Sequence, residues 1–253
     1  MKSNILLSVF FLLSILFSCS ETEQLVPATT AQQDGTDARV SAMGKKLKTP
    51  ITSFTISGRT YEVEYNEAGL ISLINAYQDG VLLYQYYAYY EGEQLVRADL
   101  VENGQVMSSN TNFQYDSDGN VIAYDYVSYF FPEFPEGLVE PKTVLLNADG
   151  RLASFESMPL TYDKKGNVIA VGTTSYTYDK NVNPLSVQDD LWLILVEEPG
   201  YALYTLSPNN TTSVTYGNGE RGVYINEYDK KKRLLWQSLQ VNGATTPVIS
   251  FEY

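Results

Sequence analysis

The chain has 253 residues, 44% of them hydrophobic, enough to bury a substantial core. Its 30 acidic residues against 17 Lys and Arg give a net charge of −13, which repels nucleic acid and excludes it as a partner. There is no histidine, which removes Ser-His-Asp and Cys-His catalysis and the commonest transition-metal ligand, so no cofactor and no metal are expected.

A basic Lys2 precedes an apolar run from Ile5 to Phe17, broken only by Ser8 and Ser14. The run is shorter than the roughly 20 residues a spanning helix needs, and a short apolar core behind a basic start reads as a signal peptide, residues 1–18. It ends in Leu16-Phe17-Ser18-Cys19. This resembles the lipobox of bacterial lipoproteins, with an aliphatic residue three before Cys and a small residue just before it. Phe17 is bulkier than the usual residue at its place. The resemblance implies lipidation of Cys19 and a membrane partner reached through that lipid. Cys19 is the only cysteine, so an internal disulfide and thiol catalysis are both excluded. Ser20 follows where an enterobacterial inner-membrane retention signal has Asp. Glu21 and Glu23 partly match the acidic start of surface-exposed lipoproteins of gut anaerobes. The expected location is the cell envelope, at the outer membrane, with either face of that membrane left open. Residues 19–50 are polar and aperiodic and read as a flexible tether, closed by Lys45, Lys46 and Lys48.

From Ile51 onward one unit recurs. Tyr65-Asn66-Glu67-Ala68-Gly69-Leu70-Ile71 is followed by Tyr115-Asp116-Ser117-Asp118-Gly119-Asn120-Val121-Ile122, Leu146-Asn147-Ala148-Asp149-Gly150-Arg151-Leu152 and Tyr162-Asp163-Lys164-Lys165-Gly166-Asn167-Val168-Ile169. Copies at Tyr90, Tyr178 and Tyr228 are shortened or degenerate. Each ends a strand on Tyr, turns through Asp/Asn-x-x-Gly and restarts on an aliphatic residue. Asp or Asn opens such a turn because its side chain bonds its own backbone two residues on, and Gly takes the left-handed position. Asp79-Gly80, Asn103-Gly104 and Asn242-Gly243 are two-residue hairpin turns. Alternation of the two turn kinds, with strands of about 7–11 residues between them, predicts an all-β antiparallel up-and-down meander over 51–253, forming a large curved sheet or barrel-like shell. Tyr84, Tyr86 and Tyr90 fall on one face, Tyr87 and Tyr89 on the other.

Two stretches interrupt the pattern. Phe130 to Pro141 reads as an aromatic, Pro-rich loop. Leu185 to Glu197 reads as one short helix with Ser186 at its cap, and Gly200 to Gly222 as a long loop with one short strand near Thr212 to Tyr216.

The repeated Tyr-Asp-x-x-Gly-Asn-x-Ile/Val unit resembles the YD repeats of RHS-type proteins, which build β-rich shells. A second resemblance covers most of the chain. Tyr176-Thr177-Tyr178-Asp179-Lys180-Asn181-Val182-Asn183-Pro184 and Ser207-Pro208-Asn209-Asn210, following the lipobox and hairpins, resemble a lipoprotein family of unknown function from gut anaerobes with a porin-like β-fold. That resemblance implies fold and location and carries no functional residue.

Candidate sites are few. Asp116 to Asn120 resembles the opening of a calcium loop, but positions six and twelve are Val121 and Val127 where Gly and Glu are needed, so it reads as a turn. The acidic pairs Asp189-Asp190 and Glu197-Glu198 are candidates for acid–base work in a glycan hydrolase. Trp192, Trp236, Phe130, Phe131 and Phe134 are candidate ligand-contact aromatics for a glycan or protein partner, weighed against core packing. The chain ends Ile249-Ser250-Phe251-Glu252-Tyr253, alternating to a terminal aromatic as outer-membrane barrels do. The leading expectation is a non-catalytic lipoprotein acting as a binding or structural module. A membrane-spanning barrel and a carboxylate-dependent hydrolase are the alternatives.

Overall fold

The computed structural model describes residues 50–188, 190–195 and 204–253. Cys19, the signal peptide, the tether through Lys48, Asp189, Glu197 and Glu198 lie outside the described residues.

The strands are β1 (Ser53–Ile56), β2 (Arg59–Tyr65), β3 (Ile71–Gln78), β4 (Val81–Glu91), β5 (Gln94–Glu102), β6 (Gln105–Tyr115), β7 (Val121–Ser128), β8 (Leu138–Thr143), β9 (Ser154–Phe155), β10 (Met158–Tyr162), β11 (Val168–Val171), β12 (Thr174–Val182), β13 (Asn209–Thr215), β14 (Arg221–Tyr228), β15 (Leu234–Val241) and β16 (Ala244–Glu252). They form one antiparallel sheet of 16 strands. Every strand pairs with its sequence neighbours except at two places. β16 pairs with β1, joining the ends of the domain, and β8 and β9 are the free edges, so the sheet is not closed. The hairpin between the edges carries hydrogen bonds across the gap at one end. Val144 N–H donates to the Ile122 carbonyl, Ala153 N–H to that of Leu145, and Leu160 N–H to that of Ala153.

Turn chemistry sets this topology. The Asp/Asn-x-x-Gly turns gather at one end of the sheet, with the shortened Gly92-Glu93 turn among them, and the Asp-Gly and Asn-Gly two-residue turns at the other. Asp79 and Gly80 have φ of 51° and 77°, and Asn103 and Gly104 match them, so both residues of each tight turn are left-handed, as a type I′ turn requires. Ser57-Gly58 and Glu156-Ser157 make the same turn without an Asn-Gly or Asp-Gly signature.

The sequence expectation needs three local corrections. The predicted helix is two separate single turns, a 3₁₀ turn at Pro184–Val187 and an α turn, α1, at Leu191–Ile194. Asn183, not Ser186, caps the first, accepting from Leu185 N–H at 3.1 Å, while the Ser186 hydroxyl donates to the Asn183 carbonyl. The aromatic loop runs only to Gly137, and β8 follows with Pro141 inside it. An edge strand tolerates that proline because it has a side with no ladder bond to make. β13 begins at Asn209, earlier than predicted, because Asn209 and Asn210 bond back to the end of β12.

The sheet is apolar on its inner face. Phe54 stacks on Tyr61 with ring centroids 4.7 Å apart, and both are buried with Ile56, Ile74, Tyr86 and Leu100. The chain between β12 and β13 lies on this face. Its Leu185, Leu191, Leu193 and Ile194 are buried in the same cluster. Asn110 of β6 donates to the Leu193 carbonyl, and Gln188 bonds both Ile71 N–H and the Tyr90 hydroxyl. The insertion thus fills the interior that the sheet encloses.

Candidate functional site

The repeat unit performs a structural task in three parts. First, Asp or Asn turns back on its own backbone. The Asp163 carboxylate accepts from Lys165 N–H, Asn167 N–H and the Asn167 amide, and Asp116 does the same with Asp118 and Asn120. Asn66, Asn147 and Asp229 repeat the backbone pair. Partial burial works to raise the Asp163 pKa, but the bonds from Asn167, Lys165 and Gly166 outweigh it and hold the carboxyl below its ordinary value.

Second, the strand after each turn bulges one residue past its opening aliphatic. Tyr65 faces Ile71, Tyr90 faces Leu95, Tyr115 faces Val121, Tyr162 faces Val168 and Tyr228 faces Leu234, with a register shift beside each pair. The bulge lets Tyr and the aliphatic residue both face inward. It turns the next residue outward, which is why Ile122 and Leu235 are exposed.

Third, the Tyr hydroxyl latches onto the neighbouring repeat. Tyr90 donates to the Ile71 carbonyl at 2.9 Å, Tyr115 to Leu95 at 2.6 Å, Tyr178 to Val168 at 2.6 Å and Tyr253 to Leu234 at 2.8 Å. Tyr65 and Tyr162 do likewise to Ile51 and Leu152. Burial pushes the phenols of Tyr65, Tyr115, Tyr162 and Tyr178 up to about 12. They are fixed donors at physiological pH. The Tyr228 hydroxyl donates to Asp179 instead.

The candidate aromatics do not converge. Trp192 sits on α1 inside the sheet, edge-on to Tyr124 with centroids 6.5 Å apart. Trp236 is half-buried on β15 opposite Ser250, whose neighbours across β1 are polar. Phe130, Phe131 and Phe134 lie in the segment between β7 and β8, exposed at 47%, 43% and 46%.

Sequence reasoning missed a cavity of about 160 Å³ between the inner face of β11–β16 and the insertion. Tyr176, Tyr178, Tyr204, Tyr224, Asn210 and Gln237 line it, with Leu185, Ile249 and Phe251 among its apolar walls. The signal was present in the spacing of Tyr176, Tyr178 and Tyr224, but the sequence does not show which inner-face positions the insertion covers. Among the described residues no cluster of three or more His, Cys, Asp or Glu could hold a metal ion.

No protein-family model matches the chain, and no curated protein sequence matches it. Solved structures similar to it include two porin-like proteins. That of Bacteroides uniformis is 15% identical, covers 80% of this chain and 97% of its own, and has a TM-score of 0.39. That of Bacteroides vulgatus is 14% identical, covers 81% and 99%, and also has a TM-score of 0.39. The TcdB2-TccC3-Cdc42 structure is 13% identical, with this chain spanning 76% of its own length and 13% of that chain, at a TM-score of 0.29.

Proposed function

We propose that this chain is a lipoprotein of the bacterial cell envelope, held at the outer membrane by acyl chains on Cys19, and that its β domain is a non-catalytic binding or structural module. One observation carries the module reading: the turn acids and latch tyrosines of the repeats are committed to the scaffold. The carboxylates of Asp116 and Asp163 accept from backbone donors in their own turns, and the repeat tyrosines Tyr115 and Tyr178 are latched to carbonyls. The Leu16-Phe17-Ser18-Cys19 run supports the anchor.

The outer face supports a domain that meets water. Glu62, Glu64, Arg97, Glu227 and Glu252 are exposed on strands from both halves of the sheet. A barrel inserted in the outer membrane carries an apolar band there, and charge on that band is costly. The exposed Phe130, Phe131 and Phe134 are the residues we assign to a protein or glycan partner.

Cell fractionation after metabolic labelling with an alkyne fatty acid tests the anchor. The wild-type chain is expected to take up label and sediment with membranes, and Cys19→Ala to do neither. Membrane retention of unlabelled Cys19→Ala would overturn the proposal.

A further inference from the structure

We infer that the cavity beneath the insertion is a binding site for an uncharged, hydroxyl-bearing small molecule no larger than a single sugar ring. This deepens the binding-module reading and rests on it.

The lining sets the chemistry. None of the cavity's lining residues is Asp, Glu, Lys or Arg. A charged ligand would be desolvated there with no counter-charge, which selects against it. The volume lies below the roughly 300–1,000 Å³ of sites for drug-sized ligands, which limits the occupant to about one ring.

The polar atoms form a complementary set. The Tyr176 and Tyr224 hydroxyls make no hydrogen bond with a described residue. Burial first, then the neighbouring phenols of Tyr204, Tyr216, Tyr176 and Tyr178, push Tyr224 far above the ordinary tyrosine range, so it stays a donor. Asn210 and Gln237 are each 3% exposed. Their amide N–H groups are committed, Asn210 to the carbonyls of Asn181 and Val182 and to Tyr228, and Gln237 to the Thr211 carbonyl and Asn226. Their side-chain oxygens accept no hydrogen bond from a described residue.

Two donors and two acceptors therefore line one small space without partners among the described residues. A hydroxyl both donates and accepts, so a molecule bearing several of them satisfies all four at once. Leu185, Ile249 and Phe251 supply the apolar surface against which a ring's C–H face packs. Water alone is the competing occupant, since a polar cavity of this size admits it.

Titration calorimetry on the full mature chain in detergent micelles separates the two. The probes are glucose, galactose, N-acetylglucosamine and myo-inositol, with glucuronate and glucosamine as charged counterparts. At least one neutral probe is expected to bind, and the charged counterparts to bind at least tenfold more weakly. Tyr224→Phe and Tyr176→Phe keep ring and fold while removing one donor each, and each is expected to weaken binding by about tenfold, the size of a lost hydrogen bond. No binding of any neutral probe, or binding that neither variant changes, overturns the site and leaves the cavity to water. That failure leaves fatty-acid labelling of Cys19 intact, whereas loss of the labelling would remove the envelope reading itself.

Discussion

The Tyr115 hydroxyl donates to the Leu95 carbonyl at 2.6 Å, so the tyrosine closing one repeat is tied to the aliphatic residue that opens the repeat before it. Copied at Tyr65, Tyr90, Tyr162, Tyr178 and Tyr253, the bond stitches neighbouring hairpins at the end where the Asp-x-x-Gly turns lie. Tyr115→Phe removes this bond and leaves the ring in place. It should cost about 1–3 kcal/mol, because the Leu95 carbonyl loses its partner in a buried setting. Tyr89→Phe, on an exposed residue of the outer face, should stay within about 0.5 kcal/mol. Urea unfolding of both variants checks the difference.

The same latches make the domain alkali-sensitive. In Tyr65, Tyr115, Tyr162 and Tyr178 burial raises the folded pKa to about 12 from the unfolded value of 10.0. The unfolded chain therefore releases these protons first. The stability they contribute is complete below pH 10 and is lost as pH rises from there through about 12. Phenolate absorbance and circular dichroism, followed together, should show these tyrosines ionising with the unfolding transition. Their ionisation near pH 10 with the fold intact would contradict the latch.

Ser157 holds φ at 65° in the two-residue turn between β9 and β10, a position that Asn103-Gly104 and Asp79-Gly80 fill with glycine. A side chain there costs roughly 1 kcal/mol. Ser157→Gly is expected to stabilise the domain by up to about that amount, read as a shift of the denaturation midpoint.

The meander and its hairpin turns were legible in the sequence because each repeat encodes its own hairpin, whereas tyrosines on both faces of β4 left the inward face undecided. Asp163 and Gly166 need nothing beyond four residues to make their turn. The insertion was legible only as an interruption. Leu191, Leu193 and Ile194 are apolar all round a single turn, since they pack inside a sheet on several sides, and this produced the reading of one longer helix. β8 was hidden by Pro141, and the turn at Glu156-Ser157 carries no turn signature. The cavity needed the insertion's path, which long-range bonds such as Asn110 to Leu193 decide.

Trp192 and Phe131 separate the two roles proposed for the aromatics. Trp192 packs in the core, so Trp192→Ala should cost about 3–5 kcal/mol. Phe131 is exposed at 43%, and Phe131→Ser should change stability by less than about 0.5 kcal/mol. Paired thermal unfolding measurements decide it. A large loss at Phe131 would make the loop a packing element and remove it as a partner contact.

The free edge of β8 is guarded by Pro141 and by Lys142, which pairs with Glu140 on the same strand. Edge proline and lysine oppose strand addition from another chain. Replacing Pro141 with Val and Lys142 with Thr should leave the monomer folded and promote self-association, seen as a concentration-dependent rise in sedimentation coefficient. An unchanged monomer would show that the edge is covered by other means.

Intact-mass spectrometry of the mature protein from its native membrane tests the envelope reading most directly. The predicted result is a chain beginning at Cys19 with the added mass of its acyl groups. A chain whose first residue lies elsewhere, or one carrying an unmodified Cys19, would contradict it.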